Sequence, residues 1–305
     1  MSSLFDKRLV FVTGKGGVGK STVCAALAMR LASQGKQVLV CMCNAKERMS
    51  VMLGSGPIGS NITPARPNLF AVNIDPDSAL DEFARSVLKS RTIARTIDSK
   101  YVRGFLRAVP GMPEWTMLGK AWWHTTEKLN DLNYKYDTVI FDAPATGHGL
   151  DMLRVPQVIA DVAPPGLLRR FADDALSLLR DPVRTAVVLV TLPEEMPTQE
   201  TIELSQALTN ELRLPIGRVI VNCVLPPLFS KEERVVLEAS THIAATDATH
   251  SAVVSARARA IRERVQGESL LRLGRELTVQ PSYLPLLFDE AAEPKAIEAL
   301  SQRLM

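Results

Sequence analysis

Only four cysteines occur in 305 residues, and Cys24, Cys41, Cys43 and Cys223 lie in or beside apolar runs without any C-x-x-C pair. That spacing excludes a zinc ribbon or a dithiol redox motif and points to buried, reduced thiols. Charge of one sign is equally scarce: 36 basic against 33 acidic residues leave +3, which gives no electrostatic case for nucleic acid as the main partner. Long hydrophobic runs are missing too. The opening MSSLFDKRLVFVTG is too polar for a signal peptide, and no stretch approaches the roughly 18 apolar residues of a membrane span. A cytoplasmic chain that is not an integral membrane protein is expected. With 46% hydrophobic and 23% charged residues, the composition is that of a compact domain rather than a disordered or coiled-coil one.

What the chain does contain is a series of short runs of Val, Ile and Leu at 8–13, 37–42, 69–74, 137–142, 185–191 and 217–222, with helical patterns between them. The runs are almost wholly apolar instead of alternating, as strands buried on both faces of a parallel sheet must be. The expected fold class is α/β, a doubly wound and mostly parallel sheet. A first helix is predicted over 21–34, with Gly35 placed as its left-handed C-terminal cap.

Two stretches break the alternation and read as helical insertions. Over about 78–128, Ile93, Ile97, Tyr101 and Phe105 recur every four residues; over about 157–182, Leu168, Phe171, Ala175, Leu176 and Leu179 share a face opposite Arg169, Arg170, Asp173 and Asp174. The expectation is one domain over 1–305, with these insertions forming a subdomain. Their apolar faces fit either packing into the body or a client groove, to which Met112, Trp115, Met117, Leu118, Trp122 and Trp123 would contribute. Residues 231–276 read as two long helices broken by a polar segment.

The most specific string is Gly14-Lys15-Gly16-Gly17-Val18-Gly19-Lys20-Ser21-Thr22, which satisfies G-x-x-x-x-G-K-[ST] between a predicted strand and a predicted helix. Glycines let successive N–H groups turn toward phosphates, the helix N-terminus adds positive potential, Lys20 pairs with the β and γ oxygens, and Ser21 offers a hydroxyl to Mg²⁺. ATP and Mg²⁺ are the expected cofactors. Asp142 ends a buried run, where a carboxylate would hold the ion through its water shell.

With its second lysine, K-G-G-V-G-K-S-T resembles the deviant loop of the MinD, ParA and ArsA group of P-loop ATPases. The string from Phe141 through Asp142, Pro144, Gly147, His148 and Gly149 to Leu153 resembles the second switch of the ArsA family, which includes the arsenite-pump ATPase and its relatives that target tail-anchored membrane proteins. Val72 to Pro76, Pro110 to Glu114, Val221-Asn222 and Tyr283 to Leu286 extend the likeness over most of the chain. The resemblance implies that Lys15 crosses a dimer interface to the partner's phosphates, although a solvated lysine fits as well. It implies that Asn222 reads adenine, or else simply forms a turn, and that Pro285 lies in a loop on the other side of the base. It further implies a homodimer, or a heterodimer with an ArsA-like paralogue, acting on a hydrophobic or membrane-protein client.

The chain departs from that pattern at the first switch. Where the family has an aspartate that orients the attacking water, this sequence reads Asn44-Ala45-Lys46-Glu47-Arg48, and a neutral amide cannot accept the proton. Slow hydrolysis follows, unless Glu47 substitutes. No cysteines match the arsenite ligands or a zinc clasp, so neither metalloid nor zinc is expected. Three functions therefore compete: an ATP-driven dimeric switch, a weakly hydrolysing partner subunit, and a partition-type DNA-binding ATPase using the basic cluster from Arg85 to Arg107.

Overall fold

All six apolar runs become adjacent strands of one sheet. The computed structural model describes residues 4–79, 82, 112–144, 146–162, 165–240, 248–288 and 292–304; Ile93, Ile97, Tyr101, Phe105 and the basic cluster from Arg85 to Arg107 lie outside them. In chain order the strands are β1 (Leu9–Thr13), β2 (Val38–Cys43), β3 (Thr63–Arg66), β4 (Leu69–Ile74), β5 (Thr138–Asp142), β6 (Thr185–Thr191), β7 (Ile216–Val224) and β8 (Pro281–Pro285). Their spatial order is β3-β4-β2-β5-β1-β6-β7-β8. Every pairing is parallel except that of β3 with β4. The doubly wound α/β fold read from the sequence is the fold observed.

Strand pleating sends alternate side chains to opposite faces. Leu9 and Phe11 of β1 enter one core with Val139, Phe141, Val187 and Leu189, while Val10 and Val12 enter the other with Ile140, Val188 and Val190. Burial on both faces is why these strands are continuously apolar.

Helix α1 (Lys20–Ser33) lies on the second of these faces and is buried from Val23 through Met29. Alanines at 25, 26 and 28 let it sit close to the sheet and its neighbours. It ends as expected: Gly35, at φ 84°, donates its amide to Ala32 O at 3.0 Å. Helices α2 (Met49–Leu53) and the late α9 (Pro294–Ser301) cover the same face.

The opposite face carries α3 (Met112–Thr126), α4 (Thr146–Val162), α5 (Leu167–Arg180) and α6 (Glu195–Gln206), the last continuing into a π-helical turn, Ala207–Glu211. Next come α7 (Lys231–Ala239), shorter than the long helix expected there, and α8 (Ala248–Glu276), which packs on α6 and α7. The 157–182 segment begins inside α4 and contains α5, whose Ala172, Ala175, Leu176, Leu178 and Leu179 are buried while Asp173 and Asp174 are exposed. In α3, Trp115, Met117 and Leu118 are buried and Trp123 is exposed.

Candidate functional site

β1 pairs with β5 on one side and β6 on the other, and the chain leaving β1 passes over β5 to reach β2, while the chain leaving β5 crosses β1 to reach β6. Such a reversal opens a crevice beyond the C-terminal ends of the central strands. The glycine-rich loop 14–19 fills that position, between the end of β1 and the start of α1.

Gly14 is required there by contact. A Cβ on it would stand 2.1 Å from Val190 O of β6, and its φ of +152° is one that side chains rarely adopt. The loop ends at Gly19, the N-cap of α1, which has no side-chain cap bond. The first-turn amides of α1 are thus offered to the crevice without a capping side chain in competition.

Lys20 turns back over the loop and donates to Gly14 O at 3.0 Å and Lys15 O at 2.9 Å. Ser21 donates its hydroxyl to Asp142 Oδ2 at 2.6 Å, which joins the start of α1 to the end of β5. Cys24, one turn further along α1 and fully buried, lies beside the same carboxylate. Lys15 pairs with Glu200 Oε1 of α6 at 2.5 Å.

The two central charges shift in opposite senses. Burial lowers the pKa of Lys20, only partly opposed by Asp142. Burial raises that of Asp142, opposed by the Ser21 hydroxyl, by Lys20 and by Cys24. Each charge is therefore under-compensated by the protein alone, so the lysine side of the crevice suits an anion and the aspartate side a cation. Two oxygens, from Ser21 and Asp142, match an ion that retains most of its own water.

Asn222 sits near the end of β7 at a bulge. The pairing with β8 slips between Val221 and Val224, where Cys223 takes φ 58°. The extra residue re-aims the strand end, and Asn222, 6% exposed, donates its amide to Val18 O of the loop at 3.0 Å. Beyond β7, the chain is pinned by α8: Gln266 bonds both Leu225 N and Leu225 O, and Glu263 accepts from Leu228 N. Burial pulls the Glu263 carboxyl upward in pKa, but Arg259 and the Leu228 and Phe229 amides outweigh it and hold it below the usual range. Pro285, read from sequence as a loop residue, instead closes strand β8, where it pairs with Val224.

In the segment likened to the family's first switch, Asn44 is exposed with φ 43° and donates its backbone amide to Ile74 O. Glu47 is committed elsewhere: its carboxylate accepts from both the amide and the hydroxyl of Ser50, at 2.7 and 2.6 Å, at the start of α2. Asn73 tethers the same segment through the Ala45 amide and carbonyl. The side chain of His148 lies outside the described residues. Gly16, Gly17 and Val18 complete the loop, and Thr22 follows Ser21 in α1.

The crevice thus gathers Lys15, Lys20, Ser21, Asp142 and Asn222. Glu200, Cys24 and the α8 side chains that pin the β7 exit were not singled out by sequence. Cys24 follows Ser21 by three residues on α1, a helical spacing that carries the signal; Glu200 gives none.

Fold and loop together define a P-loop NTPase-like protein. The model of the anion-transporting ATPase family matches residues 7–164 and 169–249, and the chain belongs to this ArsA ATPase family. It is 32% identical over 235 residues to the ATPase BagA of Mycobacterium tuberculosis, covering 74% of this chain and 67% of that one. It is 29% identical to the arsenical pump-driving ATPase of Acidiphilium multivorum, over 71% of this chain but 39% of that protein. With the ATPase ASNA1 homolog of Entamoeba histolytica it shares 26% identity, over 71% and 76% of the two chains. Among the described residues, no helix is long and apolar enough to cross a membrane.

Proposed function

We propose that this chain is a cytosolic, Mg-ATP-dependent switch that works as a dimer and couples nucleotide turnover to a hydrophobic or membrane-associated client. The observation that carries the reading is the convergence of Lys20, Ser21 and Asp142 on one crevice, with the Ser21 hydroxyl 2.6 Å from the carboxylate. In this reading the loop amides and Lys20 hold the β and γ phosphates, and Ser21 with Asp142 holds the hydrated ion, which would neutralise charge on the phosphates. Asn222, already fixed against the loop through its nitrogen, keeps its carbonyl oxygen for the exocyclic amine of adenine. Lys15 serves a facing subunit. The client part of the reading draws on the apolar residues of α3, of which Trp115, Met117 and Leu118 are turned into the body and would have to emerge on closure.

A second reading, a weakly hydrolysing subunit of a heterodimer, is favoured by one observation. Asn44 offers no carboxylate, and that of Glu47 is occupied by Ser50. A positioned base contributes roughly 10²–10⁴-fold to rate. Steady-state phosphate release separates the readings: slow turnover by the purified chain, raised in Asn44→Asp and unchanged in Glu47→Gln, is the expected result. Asparagine and aspartate both tolerate positive φ, so the substitution leaves the backbone at 44 undisturbed. Fast turnover by the wild type, abolished in Glu47→Gln, would overturn the placement of the first switch and the heterodimer reading with it.

A further inference from the structure

Lys15 and Lys20 are bound in different ways. Lys20 is held by carbonyls of its own loop, whereas Lys15 reaches out of the loop to another element, with its Nζ 2.5 Å from Glu200 Oε1. Glu200 lies on α6, whose first turn is fastened to the end of β6 by the bond from Thr191 Oγ1 to Pro197 O at 3.1 Å. The carboxylate is therefore presented from a rigid neighbour of the strand that Gly14 abuts. The Lys15 and Glu200 side chains keep 35% and 29% of their exposure, so the pair opens without dismantling the core.

A lysine bound to a carboxylate of its own chain is not available to a facing one. We propose that Glu200 is a latch, a positioning residue that holds Lys15 in its own subunit and must release it before Lys15 serves the nucleotide of a second subunit. The inference rests on the dimer reading above. The competing ligand is a polyphosphate, whose several charged oxygens offer a lysine stronger charge-assisted bonds than one solvent-accessible carboxylate does. Closure then waits for nucleotide, because without phosphates the exchange has nothing to offset the broken pair. Glu200 thus raises the threshold for assembly and takes no part in the chemical step.

A partly exposed pair of this kind is worth about 1.4- to 5-fold in an equilibrium. Two copies open two pairs, so removing the latch tightens homodimer assembly by roughly 2- to 30-fold; with a paralogue, only this chain's pair counts.

The test is sedimentation velocity on the full chain, alone and mixed with an ArsA-like paralogue encoded beside it, with Mg²⁺ and a nonhydrolysable ATP analogue. Glu200→Gln is compared with Glu203→Gln, a substitution on the same helix whose carboxylate bonds Gln199 instead. The expected result is a lower assembly midpoint for Glu200→Gln only, with a melting temperature lowered by no more than about 2–4 °C, the share of that one pair. A zero-length carbodiimide coupling adds a readout that a merely structural role would not move. A Lys15–Glu200 amide should form in the nucleotide-free chain and be suppressed once the analogue drives assembly. If wild type assembles and Glu200→Gln does so at the same or a higher concentration, or if the coupling persists in the assembled protein, the latch is overturned while the dimer stands. If no variant assembles with nucleotide in either mixture, the dimer reading falls and the latch falls with it.

Discussion

Replacing Gly14 and Gly35 by alanine, one at a time, separates two costs that glycine-rich sequences usually confound. At Gly35 the backbone has φ +84° but an added Cβ would meet nothing within 4 Å. Gly35→Ala therefore carries only the conformational cost of a left-handed residue, about 1–2 kcal/mol. At Gly14 the same kind of cost is joined by a Cβ 2.1 Å from Val190 O and 3.1 Å from its carbonyl carbon. Val190 lies next to Leu189, the residue in register with Thr13, and is fully buried, so it yields only if β1 and β6 separate. Overpacking of this sort adds about 1–3 kcal/mol, which brings Gly14→Ala to roughly 2–5 kcal/mol. Against a total stability of about 5–15 kcal/mol the variant still folds. At roughly 2–4 °C per kcal/mol, melting falls by about 4–20 °C for Gly14→Ala and about 2–8 °C for Gly35→Ala. Circular dichroism melts of the nucleotide-free protein give the stability arm, and calorimetric titration with Mg-ATP gives the function arm. Gly14→Ala should lose nucleotide affinity, since any parting of β1 from β6 moves the loop amides, while Gly35→Ala, at the far end of α1, should retain it. Equal melting temperatures for the two variants, with normal binding by Gly14→Ala, would refute both the steric argument and the assignment of the loop.

Two further outcomes are expected. Lys20→Ala should abolish Mg-ATP binding by calorimetry with an unchanged far-ultraviolet spectrum; undiminished affinity in a folded variant would overturn the phosphate site. Glu263→Gln should destabilise by about 1–3 kcal/mol at neutral pH and flatten the acid limb of the stability curve. The Glu263 carboxyl is held below its unfolded value, so its contribution is fully present above the ordinary glutamate pKa of about 4.3 and disappears as pH falls through the depressed one. Urea midpoints of wild type and variant that differ by the same amount at neutral pH and at low pH would contradict that sign.

How far the molecule was legible in its sequence follows from what each part is made of. The six central strands are apolar on both sides because they are covered on both sides, and that pattern is local. The edge strands carry no such mark: Thr-Pro-Ala-Arg of β3 and Pro-Ser-Tyr-Leu-Pro of β8 are short and proline-bearing, as edges tolerate and central strands do not. Their strand character comes from the neighbour each pairs with, so sequence alone leaves β3 unmarked and likens β8 to a loop. The same division runs through the site. Lys20, Ser21 and Asp142 are fixed by a loop and a strand end whose residues are contiguous, and their spacing announces them. Glu200 stands 185 residues from Lys15, on a helix with no motif, and its role arises only because β6 pairs with β1 and so brings α6 over the loop.

Glu47 shows the converse case. It was attractive as a substitute for a missing carboxylate because it stands three residues from Asn44, but three residues is also the distance from which it reaches the Ser50 amide and hydroxyl. A first-turn helix amide and a hydroxyl within hydrogen-bond reach satisfy that carboxylate locally. Freeing it for a water in the crevice would leave the Ser50 pair unmet, a cost of roughly 1–3 kcal/mol for donors sheltered from solvent. A base held back by that much would give up about 5- to 160-fold of the roughly 10²–10⁴-fold a positioned carboxylate brings, and for this reason Asn44, not Glu47, is the position at which turnover should respond.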